Sequence, residues 1–196
     1  MLKLQVVTVS TRKGRLGPLV ADWFWDRATD HGRFDLERID LAQVNLPLFD
    51  EPHHPSLEKY EHEHTKAWSA MVSRADAYVF VTPEYDFSAP AALSNALQYL
   101  VKEWAYKAVG FASYGGVSAG TRGVQMSKQL VTSLRMMPML DAVAIPFFTQ
   151  HIDKATNRFS PGEVQDKAAV AMLDELLKWS TALAPLRGPE AAARAG

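Results

Sequence analysis

Short apolar runs alternate with longer amphipathic stretches along the chain. Residues 77–82 read AYVFVT, a run of β-branched and aromatic side chains typical of a strand buried on both faces. Residues 19–28 instead place apolar side chains at mixed spacings of three and four, which favours a helix. The pattern predicts strands at residues 4–9, 34–41, 77–82, 108–113 and 142–146, and helices at residues 19–28, 65–74, 91–102, 124–135 and 162–183.

The predicted elements follow the order βαβαβαβαβα, without an internal repeat. Strands that alternate with helices form a parallel sheet with helices on both faces. We therefore predict an α/β fold with a five-stranded parallel sheet in the order 2-1-3-4-5. Ligands of such sheets bind beyond the carboxyl ends of the strands, at the switch point between strands 1 and 3. The loops at residues 10–18, 83–90 and 114–123 are therefore the candidates for a binding site.

The predicted elements fill one domain, from residue 1 to residue 186. Residues 42–63 show no periodicity and are rich in proline, histidine and acidic residues, so we expect an irregular segment there. Residues 187–196 are rich in alanine and glycine, which predicts a flexible C-terminal tail.

Composition narrows the function classes. The 196-residue chain has a net charge of −1, which gives no basic field for binding nucleic acid. It contains no cysteine, which excludes disulfides, thiolate nucleophiles and cysteine-ligated metal clusters. Redox chemistry in this chain would therefore need a bound cofactor. We see no signal peptide and no apolar stretch long enough to span a membrane, and we expect a cytoplasmic protein.

The loop at residues 10–18 combines hydroxyl groups, cations and glycines directly before a predicted helix. A helix N-terminus offers unpaired N–H groups and a partial positive charge, which favour a phosphate. Ser10 can donate a hydrogen bond, and Arg12 and Arg15 can pair with phosphate oxygens. Composition alone also allows a solvated basic loop. Because the G-x-G-x-x-G and Walker A patterns are absent from this turn, a mononucleotide is the best-fitting ligand.

The other two loops suit a flat ring. Two prolines stiffen the loop at residues 83–90, where Tyr85 and Phe87 offer apolar surface. Its turn-forming residues can direct backbone N–H and C=O groups at a ring edge. In the third loop, the adjacent Gly115 and Gly116 allow the backbone to approach a ligand closely. By composition alone, the second loop could equally be a rigid connection, and the third loop could equally be a flexible turn.

Three sequence segments, one on each loop, carry a resemblance to a known family. They read VVTVSTRKGRLGPLVADW, FVTPEYDFSAPAALSNALQYL and VGFASYGGVSAG. They resemble the corresponding segments of the NADPH-dependent FMN reductases, flavodoxin-like enzymes that include flavin, quinone, azo-dye and chromate reductases. The chain departs from the family pattern at Val9, where glycine is usual, at Gly17-Pro18, near the place of a later serine, and at Asp86, where asparagine is usual.

The resemblance implies an FMN-dependent oxidoreductase that passes a hydride from NADPH or NADH to FMN and then to a small-molecule electron acceptor. The acceptor could be a quinone, a flavin, an azo or nitro compound, or a metal oxyanion. Donor and acceptor would use one flavin face in turn, which gives ping-pong kinetics, and no side chain would serve as a catalytic acid. Family members are commonly homodimers or homotetramers, so a partner subunit would help to close the pocket.

The resemblance also assigns cofactor-binding residues by position. The assigned positions are Ser10, Arg12, Arg15, Gly17, Pro18 and Leu19 at the FMN phosphate; Pro83, Glu84, Tyr85 and Asp86 along the flavin ring, largely through their backbone; and Ser113, Tyr114, Gly115 and Gly116 on its pyrimidine side.

Three other functions stay open at this point. His53, His54, His62 and His64 stand among glutamates and could ligate zinc, but no H-E-x-x-H pattern is present and we predict no metal site. A non-enzymatic FMN electron carrier is the second alternative, although such carriers are usually strongly acidic. The third is a flavin-free interaction module of the same fold, with the five tryptophans on a partner surface, although core packing is their commoner fate.

Overall fold

The computed structural model describes residues 1–195 and has a parallel sheet at its centre. Its strands are β1 (Lys3–Thr8), β2 (Asp35–Asp40), β3 (Ala77–Pro83), β4 (Ala108–Tyr114), β5 (Met137–Pro138) and β6 (Val143–Ile145). They are ordered β2-β1-β3-β4-β5, and β6 also pairs with β4. All the pairings are parallel, which confirms the predicted order 2-1-3-4-5 of a flavodoxin-like fold.

Two short strands share the outer edge of β4. The two residues of β5 pair with Ala108 and Val109, and β6 pairs with residues 112–114. The strand that we predicted at residues 142–146 is β6, whereas β5 was missed because two residues carry no periodicity. The chain leaves the sheet between these strands, and Leu140 is 90% exposed there.

The helices flank this sheet on both faces. Their bounds are α1 (Gly17–His31), α2 (Leu41–Val44), α3 (Glu63–Ser73), α4 (Ala91–Gln98), α5 (Thr121–Ser133), α6 (Glu163–Leu183) and α7 (Pro189–Ala195). α1 begins earlier than predicted because Pro18, which has no N–H group, fits its first turn. Among residues 1–195, no helix has the length and apolar character needed to cross a bilayer.

Alternate residues of the central strands pack against opposite helix layers. In β3, Ala77 and Val79 join the core beneath α1 and α6, whereas Tyr78 and Phe80 face α3, α4 and α5. Every residue of β3 and β4 is buried, as expected for strands covered on both faces. These two strands therefore form a rigid base for the loops that follow them.

Three of the tryptophans belong to this core rather than to a partner surface. Trp23, Trp68 and Trp104 are 7%, 2% and 1% exposed. The indole N–H groups of Trp68 and Trp104 donate to backbone carbonyls at 2.9 and 3.1 Å. Their burial removes the main support for the interaction-module reading.

The C-terminal segment is helical. A turn of 3-10 helix at Ala184–Arg187 leads into α7. Arg187 Nη2 and Arg194 Nη2 lie 3.1 and 2.8 Å from one oxygen of Asp76, whose side chain is fully buried. Two ion pairs thus link residues 187–195 to the residue before β3, and the flexibility of this tail stays a prediction; Gly196 lies outside the described residues. The domain limit at residue 186 stays a prediction.

Candidate functional site

The loops after β1, β3 and β4 meet at one edge of the sheet and enclose a cleft of about 290 Å³. A fourth segment, which follows β6, completes the wall. Concave sites at the carboxyl ends of parallel strands are where such sheets bind ligands. The lining residues are Arg12, Arg15, Leu16, Pro83, Glu84, Tyr85, Tyr114, Gly115, Gly116, Phe147, Phe148 and Thr149.

The other predicted residues do not line the cleft. Ser10 and Ser113 are each 1% exposed and support the wall from behind. Asp86 is exposed at the tip of the second loop. The full set outside the lining is Ser10, Gly17, Pro18, Leu19, Asp86 and Ser113.

The start of α1 packs closely against the hydroxyl groups of Ser10 and Tyr114. A Cβ atom at Gly17 would lie 2.3 Å from Ser10 Oγ and 2.5 Å from the Tyr114 hydroxyl oxygen, distances at which atoms collide. The Tyr114 hydroxyl donates to Ser10 Oγ at 3.4 Å. Burial raises the pKa of Tyr114 to about 12, so it is protonated at neutral pH. Glycine at position 17 is therefore what allows the helix N-terminus to reach these hydroxyl groups.

The two arginines of the first loop have different partners. Arg15 forms a bidentate pair with Asp40, with both N–O distances at 2.5 Å, and its Nη1 donates to the Ser10 carbonyl at 2.6 Å. The hydrogen bond to Asp40 raises the pKa of Arg15. Arg12 is exposed, donates to the Tyr85 hydroxyl at 3.2 Å, and forms no ion pair within residues 1–195. Of the two, Arg12 keeps an uncompensated charge, whereas Arg15 ties the loop to β2.

The backbone of the first loop also leaves polar groups available. From residue 11 to residue 16, the Arg15 amide is the only one that donates to a backbone carbonyl within the described chain. Gly14 has a left-handed conformation, with φ of 70°. Unpaired amides in such a turn, next to a helix N-terminus, favour an anion.

The second loop forms a tight hairpin. Tyr85 and Ser88 exchange backbone hydrogen bonds with N–O distances of 2.8 and 2.9 Å. Asp86 and Phe87, between them, have φ of 49° and 68°. Two positive φ values define a type I′ turn, which favours glycine, asparagine and aspartate. Asp86 suits this backbone as the asparagine usual in the family would, whereas Phe87 is strained there.

Glu84 joins the base of this hairpin to the start of α5. Its carboxylate, 6% exposed, accepts hydrogen bonds from Arg122 Nε at 2.7 Å and Ser118 Oγ at 3.1 Å. The backbone amides of Arg122 and Gly123 donate to it at 3.1 and 3.4 Å. Burial raises the pKa of Glu84, but the hydrogen bonds and the Arg122 charge outweigh it and lower the pKa below its usual value. The side chain is thus an ionised structural anchor.

We did not predict from the sequence that Phe147 and Phe148, which follow β6, form an aromatic wall of the cleft. The Phe147 and Phe148 amides donate to the carbonyls of Gly116 and Gly115 at 3.1 and 3.2 Å, which fixes this segment to the third loop. The ring of Phe148 lies 4.8 Å from that of Tyr114, between centroids. The segment follows a strand that pairs with β4, so the rule about carboxyl ends could have identified it.

A larger cavity, of about 920 Å³, lies at the opposite end of the sheet, before β3 and β4. Arg187, Arg194 and Lys107 line it. Both arginines already pair with Asp76, and Lys107 Nζ donates to the Val72 carbonyl at 2.8 Å. Burial lowers the pKa of Lys107 to about 7. Because these cations have partners within the chain and no strand carboxyl end faces them, the smaller cleft is the candidate site.

The histidines around the start of α3 make local contacts. His64 Nε2 lies 3.0 Å from Asp50 Oδ1, and the rings of His62 and His64 stack with centroids 5.1 Å apart. Within residues 1–195, no group of three histidine, aspartate or glutamate side chains is arranged to hold a metal ion. Nothing at this segment supports the zinc alternative.

The fold agrees with that of solved flavoenzymes. The structure is similar to the flavoenzyme NAD(P)H:(acceptor) oxidoreductase from Paracoccus denitrificans, with a TM-score of 0.72 over 92% of this chain and 97% of that one. The two sequences are 20% identical, so this likeness concerns the fold.

Sequence comparisons bear directly on the family. The NADPH-dependent FMN reductase profile matches residues 2–150. The chain is 37% identical over 147 residues to an NAD(P)H-dependent FMN reductase of Schizosaccharomyces pombe, covering 74% of each protein. It is 32% identical over 175 residues to an NAD(P)H-dependent FMN reductase of Nectria sp, covering 86% of this chain and 87% of that protein. The chain belongs to the NADPH-dependent FMN reductase family, whose members use NAD(P)H and FMN.

Proposed function

We propose that the cleft holds FMN, with its phosphate at the first loop and its ring along the second and third loops. One observation supports this placement above all. At the carboxyl ends of the strands, a turn with a free cation and amides left unpaired within residues 1–195 lies beside a closed backbone hairpin. Arg12, the unpaired amides and the N-terminus of α1 suit a phosphate. Nothing lies within 4 Å of a Cβ built at Gly116, so this side of the cleft has room for a ring.

In this placement, some of the residues assigned from the sequence would contact FMN, and others would hold the wall of the cleft in place. Arg12, Tyr85, Gly115 and Gly116 line the cleft and would contact the cofactor. Arg15 would act indirectly, because Asp40 and the Ser10 carbonyl occupy its guanidinium. The other supports are Ser10, Gly17, Pro18, Leu19 and Ser113.

FMN held in this cleft would supply the chemistry of hydride transfer from NAD(P)H to an acceptor. The chain would orient the ring through the hairpin backbone. Its own titratable side chains in the cleft would neither donate nor accept a proton in the reaction. Tyr114 stays protonated and donates to Ser10, and Glu84 stays ionised and bound to Arg122. No side chain in the cleft is therefore assigned as a catalytic acid or base, and donor and acceptor would use the same open face in turn.

The acceptor is a small molecule of the quinone, flavin, azo, nitro or metal oxyanion classes. The cleft is open, and its lining includes the aromatic rings of Tyr85, Phe147 and Phe148 beside Gly116, which suits planar electron acceptors of varied outline. A net charge of −1 gives little electrostatic docking of protein partners, so the electron-carrier alternative is the weaker one.

A second copy of the chain would close the cleft in a homodimer or homotetramer. Phe87, Val117 and Phe147 are 61%, 78% and 49% exposed on the loops around the cleft. Exposed apolar side chains grouped at one rim are typical of interaction surfaces. The cytoplasmic location expected from the sequence stays a prediction.

The test is the visible absorption spectrum of the purified protein before and after anaerobic addition of NADPH. We expect flavin bands near ~450 nm that bleach on reduction, because the flavin accepts the hydride. Bands that persist with both NADPH and NADH would favour an electron carrier. A colourless protein that FMN cannot reconstitute would overturn the proposed placement.

A further inference from the structure

One guanidinium group contacts both the base and the tip of the second-loop hairpin. Arg122 donates from Nε and Nη2 to Glu84 at 2.7 and 2.6 Å, at the base. The same guanidinium lies over the ring of Phe87, with its carbon 4.0 Å from the ring centroid, at the tip. Stacked guanidinium and aromatic groups attract each other, and planar Arg suits this contact better than Lys.

The hairpin needs such a contact because its backbone is strained. Phe87 has a φ of 68°, in the left-handed region that disfavours bulky side chains, whereas aspartate tolerates the φ of 49° at position 86. Two hydrogen bonds, between Tyr85 and Ser88, close the turn. Phe87 is 61% exposed, so core packing does not hold its side chain. Its stacking on Arg122 is therefore a contact that can restrain the tip.

We propose that Arg122 is a positioning residue that holds the hairpin in the conformation that presents its backbone to the flavin ring. Arg122 is absent from the cleft lining, so it would act through Phe87 and Glu84 without touching the cofactor. The link to flavin rests on the proposed function, whereas the link between Arg122 and the hairpin rests on the contacts above.

Removal of the Arg122 side chain would release the tip and leave the base in place. Glu84 would keep the Ser118 hydroxyl and the amides of Arg122 and Gly123 as donors, at 3.1, 3.1 and 3.4 Å. Arg122→Ala removes the contact with Phe87 and the guanidinium donors to Glu84, but because three donors to Glu84 remain, it disturbs the base less than a change at Glu84 would. Arg122→Lys keeps the charge beside Glu84 but removes the planar group, and it should behave like the alanine variant at the tip.

The first measurement is amide hydrogen exchange in the FMN-free protein. In Arg122→Ala we expect the amides of Tyr85 and Ser88 to exchange about 3- to 10-fold faster, as loss of a partly exposed stacking contact implies. The amides of β3 should not change. Arg38→Ala is the matched control, since Arg38 also stacks on an aromatic ring, Trp25, at 4.3 Å, and pairs with an aspartate away from the cleft.

The second measurement is NADPH oxidation as FMN is titrated into the FMN-free protein. We expect Arg122→Ala to raise the half-saturating FMN concentration about 3- to 10-fold and to leave kcat at saturating FMN unchanged. Arg38→Ala should match wild type in both quantities. A kcat loss at saturating FMN would overturn the positioning role in favour of direct participation.

Unchanged exchange at Tyr85 and Ser88 in Arg122→Ala would also overturn the proposal. Faster exchange in the variant, together with a wild-type protein that never binds FMN, would instead uphold the restraint of the hairpin and refute the proposed function. Failure of the Arg122 proposal and failure of the proposed function can thus be distinguished.

Discussion

At the scale of single residues, two arginines three positions apart take separate roles. Arg12 and Arg15 are equivalent in the sequence as candidate phosphate ligands. The structure gives Arg15 a bidentate carboxylate partner in Asp40, whereas Arg12 contacts a neutral hydroxyl group, that of Tyr85. A guanidinium without a counter-ion gains more from an arriving phosphate, because no existing pair must be broken.

Arg12→Ala should therefore weaken FMN binding by about 1.5–3 kcal/mol, the contribution of a charge-assisted hydrogen bond. Fluorescence titration of the FMN-free protein with FMN measures this difference. Arg33→Ala removes the same charge beyond the opposite end of α1 and is the control, with affinity close to wild type. Equal affinity of Arg12→Ala and wild type would count against the placement of the phosphate.

At the scale of elements, α7 depends on one buried carboxylate at the start of β3. Asp76 is fully buried and is shared by Arg187 and Arg194, and the Lys3 amide also donates to it at 2.9 Å. Burial raises the pKa of Asp76, but these hydrogen bonds and charges outweigh it and lower the pKa. The C-terminal helix is thus held by electrostatic contacts with the sheet as well as by packing.

Asp76→Asn should lower the free energy of unfolding by about 3–5 kcal/mol at pH 7, because it leaves the buried Arg187 without its counter-ion. A carboxylate with a lowered native pKa stabilises above its unfolded pKa of about 3.9, and this contribution is lost as pH falls through the native value. The difference in the free energy of unfolding between wild type and Asp76→Asn should therefore become smaller in acid.

Urea unfolding at pH 7 and pH 3 measures both effects. Asp35→Asn is the control, because its surface pair with Lys3 should contribute at most about 1 kcal/mol. A gap of the same size at both pH values would contradict the account of Asp76 given above.

At the scale of the whole molecule, the order of strands brings the loops of the cleft together. β1, β3 and β4 are neighbours in the sheet although their loops are separated by long stretches of chain. The resulting cleft has a buried floor and an open rim that carries exposed apolar side chains such as Val117. The proposed dimer would cover this rim and complete the site.

We expect sedimentation at micromolar concentrations to give the mass of a dimer or tetramer. Val117→Asp should shift the equilibrium toward monomer, since a charge in an apolar interface loses its hydration. Leu140→Asp places the same charge at a residue that is 90% exposed outside the cleft, and it should keep the wild-type mass. A monomeric wild type, or equal masses for both variants, would refute an interface at this rim.

Local sequence patterns were enough to predict the framework of this protein. Continuous apolar runs and amphipathic stretches are local patterns, so the main strands, the five longer helices and the three loops were predictable, and the loops carried the motifs of the family. Other features became visible only in the folded chain: the pairing of Arg15 with Asp40, the aromatic side chains of Phe147 and Phe148 at the cleft, the strand β5 and the binding of α7 to Asp76. These features depend on contacts between residues distant in the chain, which no local pattern encodes.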